Sequence, residues 1–356
     1  MALSKIQDTG NQVIPNLGRR NLIINGAMMV NQRAASYTVS STRVKVVDRF
    51  SAEKDTNDMT AVQSTDAPTG FEYSLKLTNG TGASSSGTNI NYVKHFFEGY
   101  DTNHLEIGTA NAKEVTLSFH VKSSITGTYC VTFADSGNDN PFVSTYTINS
   151  ADTWEKKTVT ITMSTYSSWV GHTGKDANLQ IIWDLGSGPD RQVSTLNAWQ
   201  DGVANKWSHS SQTQWVETTG ATWYLTGVQL EVGDTATDFE HRSHAEEYHY
   251  CQRYFQKSYR YENYLTDNTG NGTVGFYATS TADNQNVTWA TPMRTSPDMT
   301  IYRKNGGAAN QAQRGNNAGT YATLSNIVAV ATGLEFTQNA SNSAHFRFHY
   351  YADAEF

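Results

Sequence analysis

Cysteine is almost missing from this chain. Cys130 and Cys251 are the only two in 356 residues, which excludes a disulfide framework as the source of stability. Proline is scarce too, 6 against 27 glycines, so turns fall to Gly, Asn and Asp rather than to rigid Pro corners. Charged residues make up 17% of the chain, below the ~25% of ordinary soluble domains. No basic stripe interrupts a formal net charge of −7, which argues against a nucleic-acid partner. No apolar run approaches ~18 residues, so insertion into a membrane as a helix is not expected. Residues 1–20 lack the apolar centre of a signal peptide, and synthesis in a cytoplasm without standard export is expected. Few Leu and Glu argue against long amphipathic helices.

What remains is Ser, Thr, Asn and Gly together with 12% aromatics, a composition suited to an all-β protein kept soluble by hydroxyls and amides. The length predicts two or three domains at ~150 residues each, enough for a sizeable core. Period-two alternation marks the strands. Val115, Leu117, Phe119 and Val121 alternate with Thr116, Ser118 and His120. Tyr129, Val131 and Phe133 repeat the pattern, as do Val159, Ile161 and Met163. Leu179 to Leu185 and Trp223 to Val232 read as further strands. Near the end, Phe346, Phe348 and Tyr350 alternate with His345, Arg347 and His349, a polar set that reads as an exposed or intersubunit face. Thr273–Ser280, Asn286–Ala290 and Thr300–Arg303 read as strands, and Asn305–Thr320 as a Gly/Asn/Gln-rich loop. Many short strands between turns predict a sandwich or jelly roll.

One helix interrupts them. Ser243 with Glu246 three residues later forms a capping box, and Tyr248, Cys251 and Phe255 come next on one helical face. The helix is expected over Ser243–Ser258, linking two β regions. Residues 1–20 show no period and read as an extended arm.

Two stretches carry a further signal: NLIINGAMMVNQR, Asn21 to Arg33, and TWYLTGVQLEVGDTATDFEHRSHAEEYHYCQRYFQKS, Thr222 to Ser258. Together they resemble the opening and closing signatures of a module in tail-fibre and other virion proteins of tailed bacteriophages. The resemblance covers about residues 21–258. It implies a carbohydrate-binding-module-like jelly roll, assembly with other virion proteins, adhesion to a host surface polysaccharide, and the trimer usual for fibres. Relatives of this kind usually carry an acid just after the opening Asn-Gly, where calcium binds; here that residue is Ala27. With only Asp48, Glu231 and Asp234 left nearby, no metal and no other cofactor is expected.

Candidate ligand-binding residues are Trp199, Trp207 and Trp215, in a polar stretch from Ser194 to Gly220 without strand period. Sugars stack their C–H faces on aromatic rings, so such a loop can serve as a platform. The same rings can instead pin a long loop onto the sandwich, and this is the reading preferred. His241, His244 and His249 do not have the i, i+4 spacing of a helical metal site. Asp135–Asn140 lacks the Gly and terminal Glu of a calcium loop and reads as a turn. Gly270-Asn-Gly-Thr-Val-Gly275 matches a dinucleotide fingerprint but precedes a strand instead of opening a helix, and Gly82–Gly87 is one residue too long for a nucleophile elbow. No carboxylate pair is singled out, so no catalytic residue is assigned.

The expectation is therefore an arm at 1–20, a jelly-roll β-sandwich at 21–242, a connecting helix at 243–258 and a smaller C-terminal β domain at 259–356. The role expected is a phage tail-fibre or receptor-binding protein located in the virion, and not an enzyme. A ligand-free head or tail decoration protein and a glycan-degrading tail enzyme are the alternatives.

Overall fold

The computed structural model describes residues 19–40, 42–169, 171–264, 271–279, 283–303, 309–314, 321–339 and 344–356. Most of the expected arm, residues 1–18, thus lies outside the described residues. The alternating segments form two six-stranded antiparallel sheets. The first runs Ser36–Val39, Met59–Ser64, Ser74–Asn79, Thr222–Val232, Glu114–Ser123, Glu155–Thr162. The second runs Val44–Lys45, Phe50–Lys54, Asn91–Glu98, Ala177–Asp184, Gly127–Asp135, Phe142–Ile148. The chain passes back and forth between the sheets, which makes the architecture a jelly-roll β-sandwich.

Period two explains the core. Leu117 lies opposite Val159 and Val115 opposite Ile161, so one face of both strands is apolar. These residues meet Phe50, Tyr129, Phe133 and Trp183 of the second sheet in one buried cluster. Phe119 stands edge-on to Trp183 at 5.9 Å. Burying a side chain of this size is worth roughly 1.5–3 kcal/mol.

Strand Thr222–Val232 bulges between Thr226 and Gln229. Gly227 takes φ +59°, and a Cβ there would lie 2.6 Å from the Phe71 ring. The bulge turns the Val228 amide outward to Gly26, whose carbonyl accepts it at 2.9 Å. A Cβ on Gly26 would in turn collide with the Val228 carbonyl. The opening Asn-Gly and the later Thr-Gly-Val-Gln are thus two halves of one backbone contact.

Around it the remaining signature residues lock together. The Asn21 carboxamide accepts from the Leu230 amide and donates to the Val228 carbonyl. Asn25, left-handed at φ 61°, donates to the carbonyls of Val30 and Asp48 and accepts from the Val30 amide. Its own amide donates to Glu247 at 2.7 Å. Arg242 donates to the carbonyls of Asn21 and Ile23 and pairs with Glu247 at 3.1 Å.

The helix spans His244–Gln252, with both halves of the capping box formed by Ser243 and Glu246. It stops short of the expected Ser258, because Phe255–Lys257 is a strand paired with Asp353–Tyr351. That strand opens the C-terminal sheet, so the linker delivers the chain directly into it.

The C-terminal sheet is built on its last strand, Ala344–Asp353. One edge receives Phe255–Lys257 and Val274–Ala278; the other receives Asp298–Arg303 and Gln311–Arg314. Tyr321–Val330, Gly333–Gln338 and Asp283–Thr288 complete it. Phe276, Ile301, Leu334, Phe336, Phe346 and Phe348 form its core. Two expectations are corrected here. Gln311–Arg314, inside the stretch read as a loop, is a strand; the rest of that stretch, apart from Ala309 and Asn310, lies outside the described residues. His349 does not share an exposed face with His345 and Arg347. It is fully buried, stacked on Tyr259 at 3.8 Å, because the residues just after Phe255–Lys257 fold over that face.

Between sandwich and C-terminal sheet runs a buried ionic seam. Arg33 pairs with Asp48 at 3.2 Å, Asp353 at 3.3 Å and Glu355 at 3.7 Å. Arg49 pairs with Glu355 and lies 3.4 Å above the Tyr254 ring. Arg253 grips Glu98 through two bonds of 2.7 Å, and the Tyr254 hydroxyl donates to the same carboxylate. Lys257 donates to the Gln32 carbonyl at 2.7 Å. Among the described residues no helix is long and apolar enough to cross a membrane.

Candidate functional site

The three candidate tryptophans do not form one surface. Trp215 is fully buried in the sandwich core and its indole donates to the Thr222 carbonyl. Trp207 is 2% exposed; it lies on the outer face of the second sheet, edge-on to Tyr92 at 5.5 Å and packed with Ile182. Its indole donates to Ser187. Trp199 is half-buried between Phe142 at 5.3 Å and Trp169 at 5.4 Å, and donates to the Thr162 carbonyl. Each ring pins a different part of the loop, and only Trp199 keeps an open part. Asp184 helps hold the same loop, accepting from Ser187 and Ser208; burial pushes its carboxyl up to about 6 against those bonds.

The acids weighed for calcium are already engaged. Glu231 accepts from Gln229 and Thr237, and Asp48 from Gln32 and Arg33. Among the described residues no group of three or more His, Cys, Asp or Glu is placed to hold a metal.

A cleft of about 470 Å³ lies where the sandwich meets the segment after the helix. Tyr73 and Glu72, just before strand Ser74–Asn79, form one wall with Gln63, Asn31 and Met29. His244, Tyr261, Glu262 and Tyr264 form the other. Packing sets the rings. Tyr261 is edge-on to His244 at 5.0 Å and to Tyr248 at 5.3 Å, and its hydroxyl donates to the Met29 carbonyl. Gln63 is aimed by a 2.6 Å bond to the Met28 carbonyl. Glu72 accepts from the Tyr73 hydroxyl and thereby pushes that phenol up. Tyr73, Tyr261 and Tyr264 are half-buried, while Glu72, His244 and Glu262 are exposed. Half-open rings beside carboxylates and amides can stack a pyranose C–H face and accept its hydroxyls. None of these residues was singled out from sequence as ligand-binding. The one signal was the density of tyrosines in Tyr259-Arg-Tyr-Glu-Asn-Tyr264, directly after the helix.

A second cleft of about 350 Å³ is lined by Trp169, beside Trp199. Its polar groups are largely spent on one another. Trp169 donates to Asn178, Asn178 to Thr102, and Asn103 to the Thr173 carbonyl.

No protein-family model matches this chain, and no curated protein matches it. Similar solved structures include the enzymatically active domain of tailspike protein 4 from bacteriophage CBA120, at 13% identity and a TM-score of 0.32. That match covers 60% of this chain and 21% of the tailspike chain, so this chain spans only about a fifth of it. A family 11 carbohydrate-binding module from Clostridium thermocellum matches at 7% identity and 0.28, over 58% and 98% of the two chains. A xylanase 10B fragment from the same organism, solved with xylohexaose, matches at 12% and 0.30, over 64% and 29%. Likeness at these scores carries no weight for ligand or activity, which rest on this chain's own residues.

Proposed function

We propose that this chain is a virion protein of a tailed bacteriophage, of the tail-fibre or receptor-binding type, whose sandwich adheres to a host surface glycan. The observation that carries the binding role is the cleft walled by Tyr73, Tyr261 and Tyr264 with Asn31, Gln63, Glu72 and Glu262 at its sides. The virion assignment is supported by the paired signatures Asn21–Arg33 and Thr222–Ser258. Ring stacking and a few neutral hydrogen bonds total ~4–6 kcal/mol, which corresponds to millimolar to tens-of-micromolar affinity per site. Several copies on one particle, three in a fibre trimer, would then supply avidity.

A glycan array with the whole chain tests this reading, with titration of the best sugar afterwards. Tyr73→Ala should weaken binding about tenfold, the equivalent of ~1.4 kcal/mol, with a lower melting temperature because the ring also packs on the core, so binding is compared well below the melting range. Binding unaltered by Tyr73→Ala and by Tyr261→Ala would remove the cleft from the function. Absence of any glycan ligand would leave a purely structural virion protein.

A further inference from the structure

We propose a second, chemically different site: the outer face of the sandwich's second sheet takes the carboxylates of an acidic polysaccharide, through Arg43, Lys94 and Arg191. It lies apart from the tyrosine cleft and does not depend on it.

The register places these groups together. Lys94 stands opposite Ser51 on one neighbouring strand and Ile182 on the other. Tyr92, two residues back on the same face, stands opposite Glu53 and Asp184. The loop carrying Trp207 covers the Ile182 side, with Arg191 on it. Arg43 enters from the opposite side, just before strand Val44–Lys45. Two rings tie the cations into one row. The Phe96 ring is shared by Arg43 at 5.2 Å and Lys94 at 5.8 Å. The Trp207 ring is shared by Lys94 at 5.4 Å and Arg191 at 4.8 Å. Tyr92 stands 4.3 Å from the Lys94 ammonium.

None of the three cations forms an ion pair among the described residues. This contrasts with Arg33, Arg49, Arg242 and Arg253, which all face carboxylates. Lys94 is 3% exposed, and its hydrogen bond goes to the Asn138 side chain at 3.2 Å. The nearest acid, Glu53, already accepts from the Tyr92 hydroxyl at 2.7 Å. Asp184 is spent on Ser187 and Ser208, and Lys45 on the Phe356 carbonyl. Three cations against two engaged carboxylates, Glu53 and Asp184, leave local positive charge on a chain whose net charge is −7. An unpaired buried ammonium is costly. An incoming oxyanion relieves that cost, and planar guanidinium groups suit carboxylates.

The occupant is dictated by the arrangement. Nucleic acid needs cations tracking a backbone over many phosphates. Here the cations form one compact cluster beside Glu53, suited to one carboxylate per sugar. Burial first, then Arg43 and Arg191, hold the Lys94 ammonium down to about 7, with Glu53 opposing. A bound carboxylate would raise it, so binding should take up a proton near neutrality and tighten as pH falls.

The test is titration of the whole chain with polygalacturonate fragments at about pH 6 and about pH 8, constant ionic strength, with neutral dextran and single-stranded DNA as controls. Uronates are ionised at both pH values, so any change belongs to the protein. We expect polygalacturonate to bind about threefold or more tighter at the lower pH. Arg43→Gln, at an exposed residue, should weaken it about fivefold without moving the melting temperature. Lys94→Met should abolish the pH dependence, and Tyr73→Ala should leave it intact. Dextran bound as tightly as polygalacturonate by the Tyr73→Ala variant, tighter binding of DNA, or indifference to Arg43→Gln would each overturn the proposal. Loss of polygalacturonate binding in Tyr73→Ala alone would assign the acidic ligand to the tyrosine cleft instead.

Discussion

The interior of the sandwich and the seam beneath it are both buried, yet they are built from opposite chemistries. The interior is rings and branched aliphatics: Phe50, Phe119, Trp183, Trp215, Trp223. The seam is Arg33, Arg49, Arg253, Asp48, Glu98 and Glu355, joined by bonds of specific direction. An apolar core accepts many residues of suitable volume. A charge network accepts few, since each member needs its own partner. This explains why the recognisable stretches of sequence are those that meet at the seam and beside it. Asn21, Asn25, Arg33, Arg242, Arg253 and Lys257 fix how the sandwich sits on the helix and the C-terminal sheet. Their hydrogen bonds and ion pairs are spent on holding the parts of the chain together.

The comparison can be pushed from both sides. On the apolar side, Trp215→Ala should cost about 3–5 kcal/mol, a loss large enough to be seen by thermal or denaturant unfolding. A small loss would mean that the ring is not core. On the ionic side, Glu355→Ala strands Arg49, while Arg33 keeps Asp48 and Asp353, and should cost roughly 3 kcal/mol. Burial pushes the Glu355 carboxyl up, but Arg49, Arg33 and Lys45 outweigh it and hold it below the ordinary range. Its contribution is therefore present above the unfolded carboxylate value of about 4.3 and is lost as pH falls through the folded value. The gap between wild type and variant should close in acid; a gap that widens in acid would refute the assignment.

Asp184 should behave in the opposite sense. Its folded value, about 6, lies above the unfolded one, so its contribution is full in acid and is lost as pH rises through about 6. Asp184→Asn should match wild type near pH ~4 and exceed it by about 1–2 kcal/mol at pH ~8. Melting curves across that range would show it, and a variant weaker at every pH would contradict it. Smallest is Ser243→Ala, which removes one cap from a nine-residue helix and should cost about 1 kcal/mol. A loss several times larger would mean that the helix start also carries the seam.

Much of the fold was legible because alternation is a local signal. Val115–Val121, Trp223–Val232 and Phe346–Tyr350 all lie within strands of the structure. The helix start was legible for the same reason, since Ser243 and Glu246 speak to each other across one turn. Its end was not, because Phe255–Lys257 leaves the helix for a partner almost a hundred residues on. His349 misled because alternation reports two faces of a strand and not whether both are covered. The tyrosine cleft was hidden for a deeper reason. Tyr73 and Tyr261 meet only after the sandwich has closed, and nothing in their spacing announces it.

The last strand, Ala344–Asp353, carries a consequence for how the chain is made. Four other strands take their backbone partners from it, the first at Phe255 and the nearest at Gln311–Arg314. On a ribosome the sandwich strands are all out while that segment is still untranslated. Phe255–Lys257, Val274–Ala278 and Asp298–Arg303 then wait with open edges. Such long-range pairing is slow and exposed to wrong partners. A chain stopped before Ala344 would therefore trail unpaired edges and would also lack Asp353 and Glu355, leaving Arg49 of the sandwich without its carboxylate.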